Sequence, residues 1–285
     1  MENDIESRIR EKLPTFSKGQ RKIAAAIFEN YEKTAYMTAA KLGEMVDVSE
    51  STVVRFAIEL GYEGYPELQR AIQESLRNRL TFNQRIRVSD ERYGESDILE
   101  SVLAADMARI RYTLENIDRA SFDAAVDAIV RARHMYVIGV RSSASLASFL
   151  HFNLGMISDD VKLVQPTNSG EVFEQMLGIG EGDIAFAISF PRYSTKLINA
   201  VKFARAQGAT VIALTDALTS PIATPAHHVL TAQSDMVSFV DSLVAPMSVL
   251  NAIVVAVTKK LRERVTARFD KLERIFDEYD VYAKH

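Results

Sequence analysis

Five short runs of apolar residues in the second half of the sequence most constrain its fold. They are HMYVIGV, VKLVQ, DIAFAIS, ATVIALT and HHVLT, which begin at residues 134, 161, 183, 209 and 227. Segments with helical periodicity lie between most of them, at 142–157, 170–178 and 194–207. Unbroken apolar strands that alternate with helices are typical of a parallel sheet covered by helices on both faces. The sequence therefore predicts a three-layer α/β domain around a five-stranded parallel sheet.

The first 80 residues have a different pattern. Helical periodicity dominates there and no strand-like run appears, so we expect an all-α domain. Ser17 is a candidate N-cap, Gly61 stands where a glycine ends a helix, and Pro66 suits a first helical turn. The predicted helices cover about 17–31, 38–46, 50–60 and 66–80.

A polar segment separates the two patterns. Residues 81–96 have few periodic apolar positions and are predicted to be a linker. Beyond it we expect helices at about 97–117, capped by Ser96, and at about 122–131. The predicted organisation is a helical domain at 1–80, a linker at 81–96 and an α/β domain at 97–285.

Charge and composition exclude several kinds of protein. The 285 residues carry a net charge of −4, so any contact with nucleic acid must come from a local basic patch. The absence of cysteine excludes disulfides and thiolate chemistry. The N-terminus lacks a signal-peptide core, and the late apolar segment is interrupted by Asp241, Pro246 and Asn251. We therefore expect a cytoplasmic protein without a membrane span.

Two predicted helices, MTAAKLGEMV and ESTVVRFAIEL, are separated only by DVS. This spacing predicts a helix-turn-helix. Gly43 is small where the helices must cross closely, Asp47 tolerates a positive φ in the turn, and Ser49 is a natural N-cap.

In a helix-turn-helix the second helix enters the DNA major groove with its N-terminal residues at the base edges. Arginine can bind guanine through two hydrogen bonds, and serine or threonine can bind bases or phosphates. The alternative is an ordinary helical bundle with a solvated polar face, which the slight acidic excess of the first 80 residues favours. The candidate DNA-binding residues are Lys41, Ser49, Ser51, Thr52 and Arg55.

The same segment resembles a known family. The core V-S-x-x-T-V-V-R-F, the following L-G-Y and the later Y-P-E-L appear in order within residues 36–76. Together with FSKGQRKIAAAIFENY, they resemble the N-terminal domain of the RpiR family of bacterial transcription regulators. Gly43, where that family more often has alanine, and Asp47, where it has glycine, are small departures.

Polar loops follow the predicted strands. GVRSSAS, PTNSGE, SFPRYST and TDALTS come after the first four strands. Ligands of open parallel sheets bind at the carboxyl ends of the strands, and helix N-termini there attract anions. Arg141 and Arg192 add positive charge, so we expect an anion site, although the hydroxyls also suit ordinary helix N-caps.

Residues 120–265 resemble the sugar isomerase (SIS) domain, which follows the helical domain in RpiR regulators and binds phosphosugars. The resemblance implies a flavodoxin-like strand order and a ligand site in the loops after the first and third strands. Arg141 replaces a usual glycine, and FPRY replaces the more usual Q-S-G-E, so Pro191 removes one hydroxyl. The residues implied as effector-binding are Arg141, Ser142, Ser143, Ser189, Arg192, Tyr193, Ser194 and Thr195.

Support for catalysis is weak in the sequence. Glu171 is a candidate base for aldose–ketose isomerisation by its position, and the histidines suit structural roles better. No metal or nucleotide motif is present, so we expect no enzyme, no cofactor and no metal. The alternatives are a phosphosugar isomerase whose helical domain mediates assembly, and a sugar-phosphate sensor that does not bind DNA.

The sequence thus predicts a regulator whose partners are a double-stranded DNA operator and a small anionic effector. A homodimer or homotetramer is expected because one short helix reads few bases. The apolar helices at 98–114 and 239–257 either bury a dimer interface or cover the sheet.

Overall fold

The computed structural model describes residues 5–79, 81–94, 97–168 and 170–282. The chain divides into two compact units, Met1–Gly94 and Glu95–His285. The division falls inside the segment predicted as a linker.

The described part of the first unit is entirely helical. Its buried side chains include Ile23, Ile27, Leu42, Phe56 and Leu68, which come from four different helices. The four predicted helices are confirmed within about two residues, and three further helices were not predicted. The helices are α1 (Ile5–Lys12), α2 (Lys18–Glu29), α3 (Tyr31–Thr34), α4 (Ala39–Val46), α5 (Glu50–Glu59), α6 (Tyr65–Arg79) and α7 (Phe82–Tyr93).

Helix α7 corrects the linker prediction, since it occupies most of 81–96. It begins at a capping box in which the Thr81 hydroxyl accepts from the Gln84 backbone and the Gln84 side chain accepts from the Thr81 backbone. Val88 and Ser89 are buried. The composition is polar, but the cap satisfies the first backbone donors and tertiary burial stabilises the rest.

The second unit alternates strands and helices as predicted. Its first helix is capped by Asp97, whose carboxylate accepts from the backbone N of Glu100 at 3.0 Å, while the predicted cap, Ser96, lies outside the described residues. The elements are α8 (Ile98–Asn116), α9 (Arg119–Arg131), β1 (Met135–Gly139), α10 (Ser143–Gly155), β2 (Val161–Val164), α11 (Glu171–Gln175), β3 (Ile184–Ile188), α12 (Thr195–Ala206), β4 (Thr210–Thr215), β5 (His228–Thr231), α13 (Val244–Lys260) and α14 (Arg262–Glu278).

The five strands form one parallel sheet in the order β2-β1-β3-β4-β5. Side chains alternate between its two faces along each strand. Val137 and Phe186 pack with α10 and α13 on one face, and Ile138 and Ala187 pack with α12 on the other. The three-layer α/β fold with flavodoxin-like order is therefore confirmed.

The late apolar segment forms α13, with Pro246 in its first turn. Among the described residues no single helix is long and apolar enough to cross a membrane. Helices α13 and α14 reach that length and composition only as a pair, which bends by 97° at the break.

Candidate functional site

The turn between α4 and α5 has the geometry that the sequence predicts. A Cβ added at Gly43 would lie 2.8 Å from the carbonyl oxygen of Val48, so only glycine fits without a backbone shift. Asp47 ends α4 with a φ of 55°, in the left-handed region. Its carboxylate lies 3.4 Å from the Nζ of Lys22. Both expectations for this turn, at Gly43 and Asp47, are confirmed.

Three linked hydroxyls stand at the start of α5. Ser49 occupies the N-cap position, but its side chain does not cap the helix backbone. Its hydroxyl instead hydrogen-bonds those of Ser51, at 2.9 Å, and Thr52, at 2.8 Å. Each hydroxyl can donate and accept, so the cluster can reorganise around a base edge or a phosphate.

Arg55 is exposed one turn further along α5. Its Nε donates to the carbonyl of Ser51 at 3.2 Å, which holds the side chain along the helix. Its Nη atoms make no hydrogen bond or ion pair with any part of the chain that the structure describes. A guanidinium with its outer donors free suits two-point recognition of an acceptor pair.

An open groove runs between the start of α2 and the outer side of α5. It is lined by Ser49, Thr52 and Arg55 together with Ser17, Gly19, Gln20, Val48, Ile58 and Glu59. Ser51 lies beside it through its bond to Ser49. Lys41 is exposed on α4 and does not line the groove. Four of the five candidate DNA-binding residues thus come together at the N-terminal half of α5.

Two groove residues have roles that the sequence analysis missed. Glu59 accepts from the Gln20 side chain at 2.8 Å, so it ties α2 to α5 and is not a free polar group. Ile58 is 54% exposed and presents an apolar surface beside Arg55. The exposure of Ile58 was predictable from the sequence, because its position does not share the helical face of the buried Val53, Phe56 and Ala57.

The second candidate site lies at the carboxyl edge of the sheet. Strands β1 and β3 are neighbours, and Gly139 at the end of β1 pairs with Ile188 at the end of β3. The loops at 140–142 and 189–194 therefore leave the sheet side by side. Strand order reverses between β1 and β3, which is the position where open α/β sheets bind ligands.

Both loop arginines have unusual backbone conformations. The φ angles are 57° at Arg141 and 63° at Arg192, in the left-handed region that few residues other than glycine occupy. Both side chains are exposed. The Arg141 side chain makes no hydrogen bond or ion pair within the described residues, so its charge is available to a ligand.

Two helix N-termini meet at this edge. Helix α10 begins at Ser143, which is buried, and the exposed Ser142 precedes it. Helix α12 begins at Thr195, after Ser194, whose hydroxyl makes no capping bond. The first N–H groups of a helix lack carbonyl partners and carry partial positive charge, so this edge favours an anion.

Tyr193 has a partner inside the protein. Its hydroxyl donates to the Oδ1 of Asp216 at 2.8 Å, and the hydroxyl of Thr215 lies 3.1 Å from the same oxygen. The sequence analysis did not include Asp216, although it directly follows β4 at the edge where ligands bind.

Glu171, the candidate isomerase base, is held as a hydrogen-bond acceptor. It takes hydrogen bonds from the Thr167 hydroxyl and backbone N–H, both at 2.6 Å, and these lower the pKa of its carboxyl. A lowered pKa makes a carboxylate a weaker proton acceptor. The Nδ1 of His227 accepts from the backbone N of Val211 at 2.9 Å at the start of β5, which is a structural role.

Comparison with known proteins assigns both units. Residues 3–79 match the model of the helix-turn-helix domain of the rpiR family, and residues 128–256 match the SIS domain. The transcriptional regulator HexR of Pseudomonas aeruginosa is 29% identical over 228 residues, which are 78% of this chain and 76% of that protein.

Two solved structures share the fold. The sugar isomerase domain of an RpiR transcription factor from Sphaerobacter thermophilus is 28% identical with a TM-score of 0.58, over 61% of this chain and 97% of that one. The NanR protein of Vibrio vulnificus is 22% identical with a TM-score of 0.60, over 98% of this chain and 100% of that one. The chain therefore belongs to the RpiR family of transcription regulators, with a helix-turn-helix domain followed by a SIS domain.

Proposed function

We propose that this regulator binds a DNA operator through α5 and that its SIS domain senses a phosphosugar in the cytoplasm. One observation carries the proposal. The helical unit has an exposed arginine with unbonded Nη atoms next to three linked hydroxyls on α5. In the same chain, two helix N-termini and two arginines meet at one edge of the sheet.

In the DNA complex, the Nη atoms of Arg55 would donate to a guanine in the major groove. The hydroxyls of Ser49, Ser51 and Thr52 would contact adjacent bases or phosphates, and Lys41 would contact the backbone. Ile58 beside Arg55 offers an apolar surface to a thymine methyl group. All base contacts of one chain then come from one short helix. Specific recognition of an operator therefore requires two copies of that helix, one from each of two chains.

In the effector complex, the phosphate would lie between the N-termini of α10 and α12. Ser142, Ser143, Ser194 and Thr195 line these termini, and Arg141 supplies a charge-assisted hydrogen bond. The Vibrio vulnificus NanR structure is a complex with ManNAc-6P, which supports a phosphosugar as the ligand class. Ser189 and the Tyr193–Asp216 pair would then face the sugar hydroxyls.

We propose sensing without isomerisation. An isomerase base needs a pKa near the working pH, and the hydrogen bonds from Thr167 move the pKa of Glu171 in the opposite direction. Effector binding would instead change the geometry of an oligomer. Two recognition helices must meet major grooves about 34 Å apart, so a change in their spacing alters operator affinity.

The test is the capture of sheared genomic DNA by the full chain at a fixed salt concentration. Salt is held constant because phosphate contacts alone give nonspecific affinity. We expect wild type to enrich a few fragments and Arg55→Ala to lose at least about tenfold of that enrichment, as for the loss of one bidentate base contact. Arg70→Ala, which removes another exposed arginine of the helical unit, is the matched control.

Equal enrichment by wild type and Arg55→Ala would show that α5 does not read bases. Adding a mixture of sugar phosphates separates the regulator from a plain DNA-binding protein, because only the regulator changes its enrichment. If operator affinity stays constant while a sugar phosphate binds tightly, the two sites are not coupled.

A further inference from the structure

The helices that begin at the carboxyl edge of the sheet differ in the charge of their first turns. Helix α11, which follows β2, carries Glu171 and Glu174 there. Helices α10 and α12, which follow β1 and β3, carry no acidic residue in the first turn, and the hydroxyls of Ser142 and Ser194 do not cap them. The partial positive charge of these two N-termini is therefore not balanced by a first-turn acid or a capping hydroxyl.

Two nearly buried hydroxyls lie at the same edge. Ser143 begins α10 and Ser189 directly follows β3, and each residue is 4% exposed. Neither side chain makes a hydrogen bond with any part of the chain that the structure describes. A buried hydroxyl without a partner is unfavourable, so these two groups favour a ligand that carries hydrogen-bond acceptors.

Lys196 is the cation in the first turn of α12, directly after Thr195. A lysine is disfavoured at the positive end of a helix dipole and favoured at the opposite end. The side chain is partly buried, and it makes no hydrogen bond or ion pair within the described residues. Neither a salt bridge nor the helix dipole therefore accounts for a lysine at this position.

We propose that Lys196 binds the anionic group of the effector, in addition to Arg141 and Arg192. The Cα–Cβ bonds of a helix tilt toward its N-terminus, so the Lys196 side chain extends toward the edge of the sheet. Its flexible four-carbon stem lets the ammonium reach an anion at the first N–H groups of α12. The ammonium supplies three donors and a full positive charge, which the serine hydroxyls lack.

This combination of groups selects a phosphate monoester over a carboxylate. A phosphate monoester carries a charge of about −1.5 to −2 at neutral pH and three strong acceptor oxygens, whereas a carboxylate carries one charge and two oxygens. Two helix N-termini, two buried hydroxyls and the cations beside them offer more donors and more charge than one carboxylate can accept. The inference deepens the proposed function and rests on it for the place of the effector.

The test is the binding of inorganic phosphate to the full chain, measured by equilibrium dialysis at fixed pH and ionic strength. Lys196→Gln should weaken binding about tenfold, as for the loss of one hydrogen bond to a charged group. Lys196→Arg keeps the charge and should stay within about threefold of wild type. Lys202→Gln is the matched control, because Lys202 is exposed later on the same helix and should bind as wild type does.

Thermal unfolding separates a binding role from a structural one. Without phosphate, we expect Lys196→Gln to raise the Tm by about 1–3 °C, because an unfavourable charge leaves the helix N-terminus. Added phosphate should then raise the Tm of this variant less than that of wild type, since it binds more weakly. A lysine that only supports the fold would give a lower Tm when it is replaced.

Three results would overturn the inference and leave the proposed effector site intact. They are phosphate binding that survives Lys196→Gln but is lost in Ser143→Ala, a weaker-binding Lys196→Gln variant with a lowered Tm, and acetate that binds wild type as tightly as phosphate does. If wild type binds no phosphate at all, the inference fails together with the effector part of the proposed function. The two failures are therefore distinguishable.

Discussion

At the scale of single residues, Arg141 combines backbone strain with an unused charge. Its φ of 57° is one that glycine adopts without steric cost. For a residue with a side chain, the same backbone conformation is less favourable by roughly 1–2 kcal/mol. Its guanidinium makes no contact within the described residues that would offset this cost. The strain therefore does not stabilise the folded protein. An interaction of the guanidinium with a bound anion would offset its energetic cost.

We expect Arg141→Gly to stabilise the protein by about 1 kcal/mol, because relief of the left-handed strain exceeds the extra entropy of glycine in the unfolded chain. The same change should weaken phosphosugar binding about tenfold through loss of one charge-assisted hydrogen bond. Urea unfolding and calorimetric titration measure the two effects. Arg141→Ala is the control, since it removes the charge and keeps the strain. A glycine variant that binds as tightly as wild type would exclude Arg141 from the site.

At the scale of elements, the crossing of α4 and α5 determines the orientation of α5, the helix that we propose binds DNA. The crossing depends on the absence of a side chain at Gly43, where a Cβ would meet the backbone oxygen of Val48 at 2.8 Å. A backbone atom cannot move without shifting the start of α5. The position of Arg55 is thereby linked to a residue that is not itself expected to contact DNA.

Gly43→Val should destabilise the helical unit by about 2 kcal/mol, a typical cost of overpacking a tight site. DNA enrichment should also fall, because α5 is displaced. Thermal unfolding and DNA capture provide the two measurements. Gly155→Val is the control, since a Cβ at Gly155 meets nothing within 4 Å. Unchanged stability of the Gly43 variant would mean that the turn adapts and that the close crossing is not required.

At the scale of the whole molecule, the two compact units separate tasks that need different surfaces. The helical unit ends at Gly94 and the α/β unit begins at Glu95. The α/β unit contains the sheet edge of the proposed effector site, and the helical unit contains α5. A dimer formed by the second unit would hold two copies of α5 on one DNA molecule and raise their effective concentration.

We therefore expect fragments 1–94 and 95–285 to fold separately, with the first monomeric and the second dimeric. Fragment 1–94 should bind an operator at least about a hundredfold more weakly than the full chain, because it lacks the second tethered helix. Sedimentation and an operator titration at fixed salt measure both properties. Operator affinity of fragment 1–94 equal to that of the full chain would show that dimerisation does not contribute to DNA binding.

Local features made much of this protein predictable from its sequence. Apolar runs predicted the five strands. The signal is strongest for β1, β3 and β4, which are buried along almost their whole length and therefore have few polar positions. Asp47 and Gly61 predicted the ends of their helices, since both adopt a positive φ that few residue types tolerate. Gly43 predicted the close crossing of α4 and α5, because it has no side chain. Helix α7 was missed because its polar composition outweighed a capping box that was present in the sequence.

The tertiary structure alone decided which distant residues meet. Tyr193 pairs with Asp216, and Arg109 with Asp235, through strand order and helix packing that no local pattern encodes. The side of α8 that faces the domain was likewise open in the sequence, because an apolar stripe looks the same whether a sheet or a second chain covers it. By itself, the sequence determined the five strands, most of the helices, the turns and the family, through local backbone chemistry and apolar periodicity. Only packing decided which charges remain free for ligands and which apolar surface remains for a partner, because burial is a property of the assembled chain.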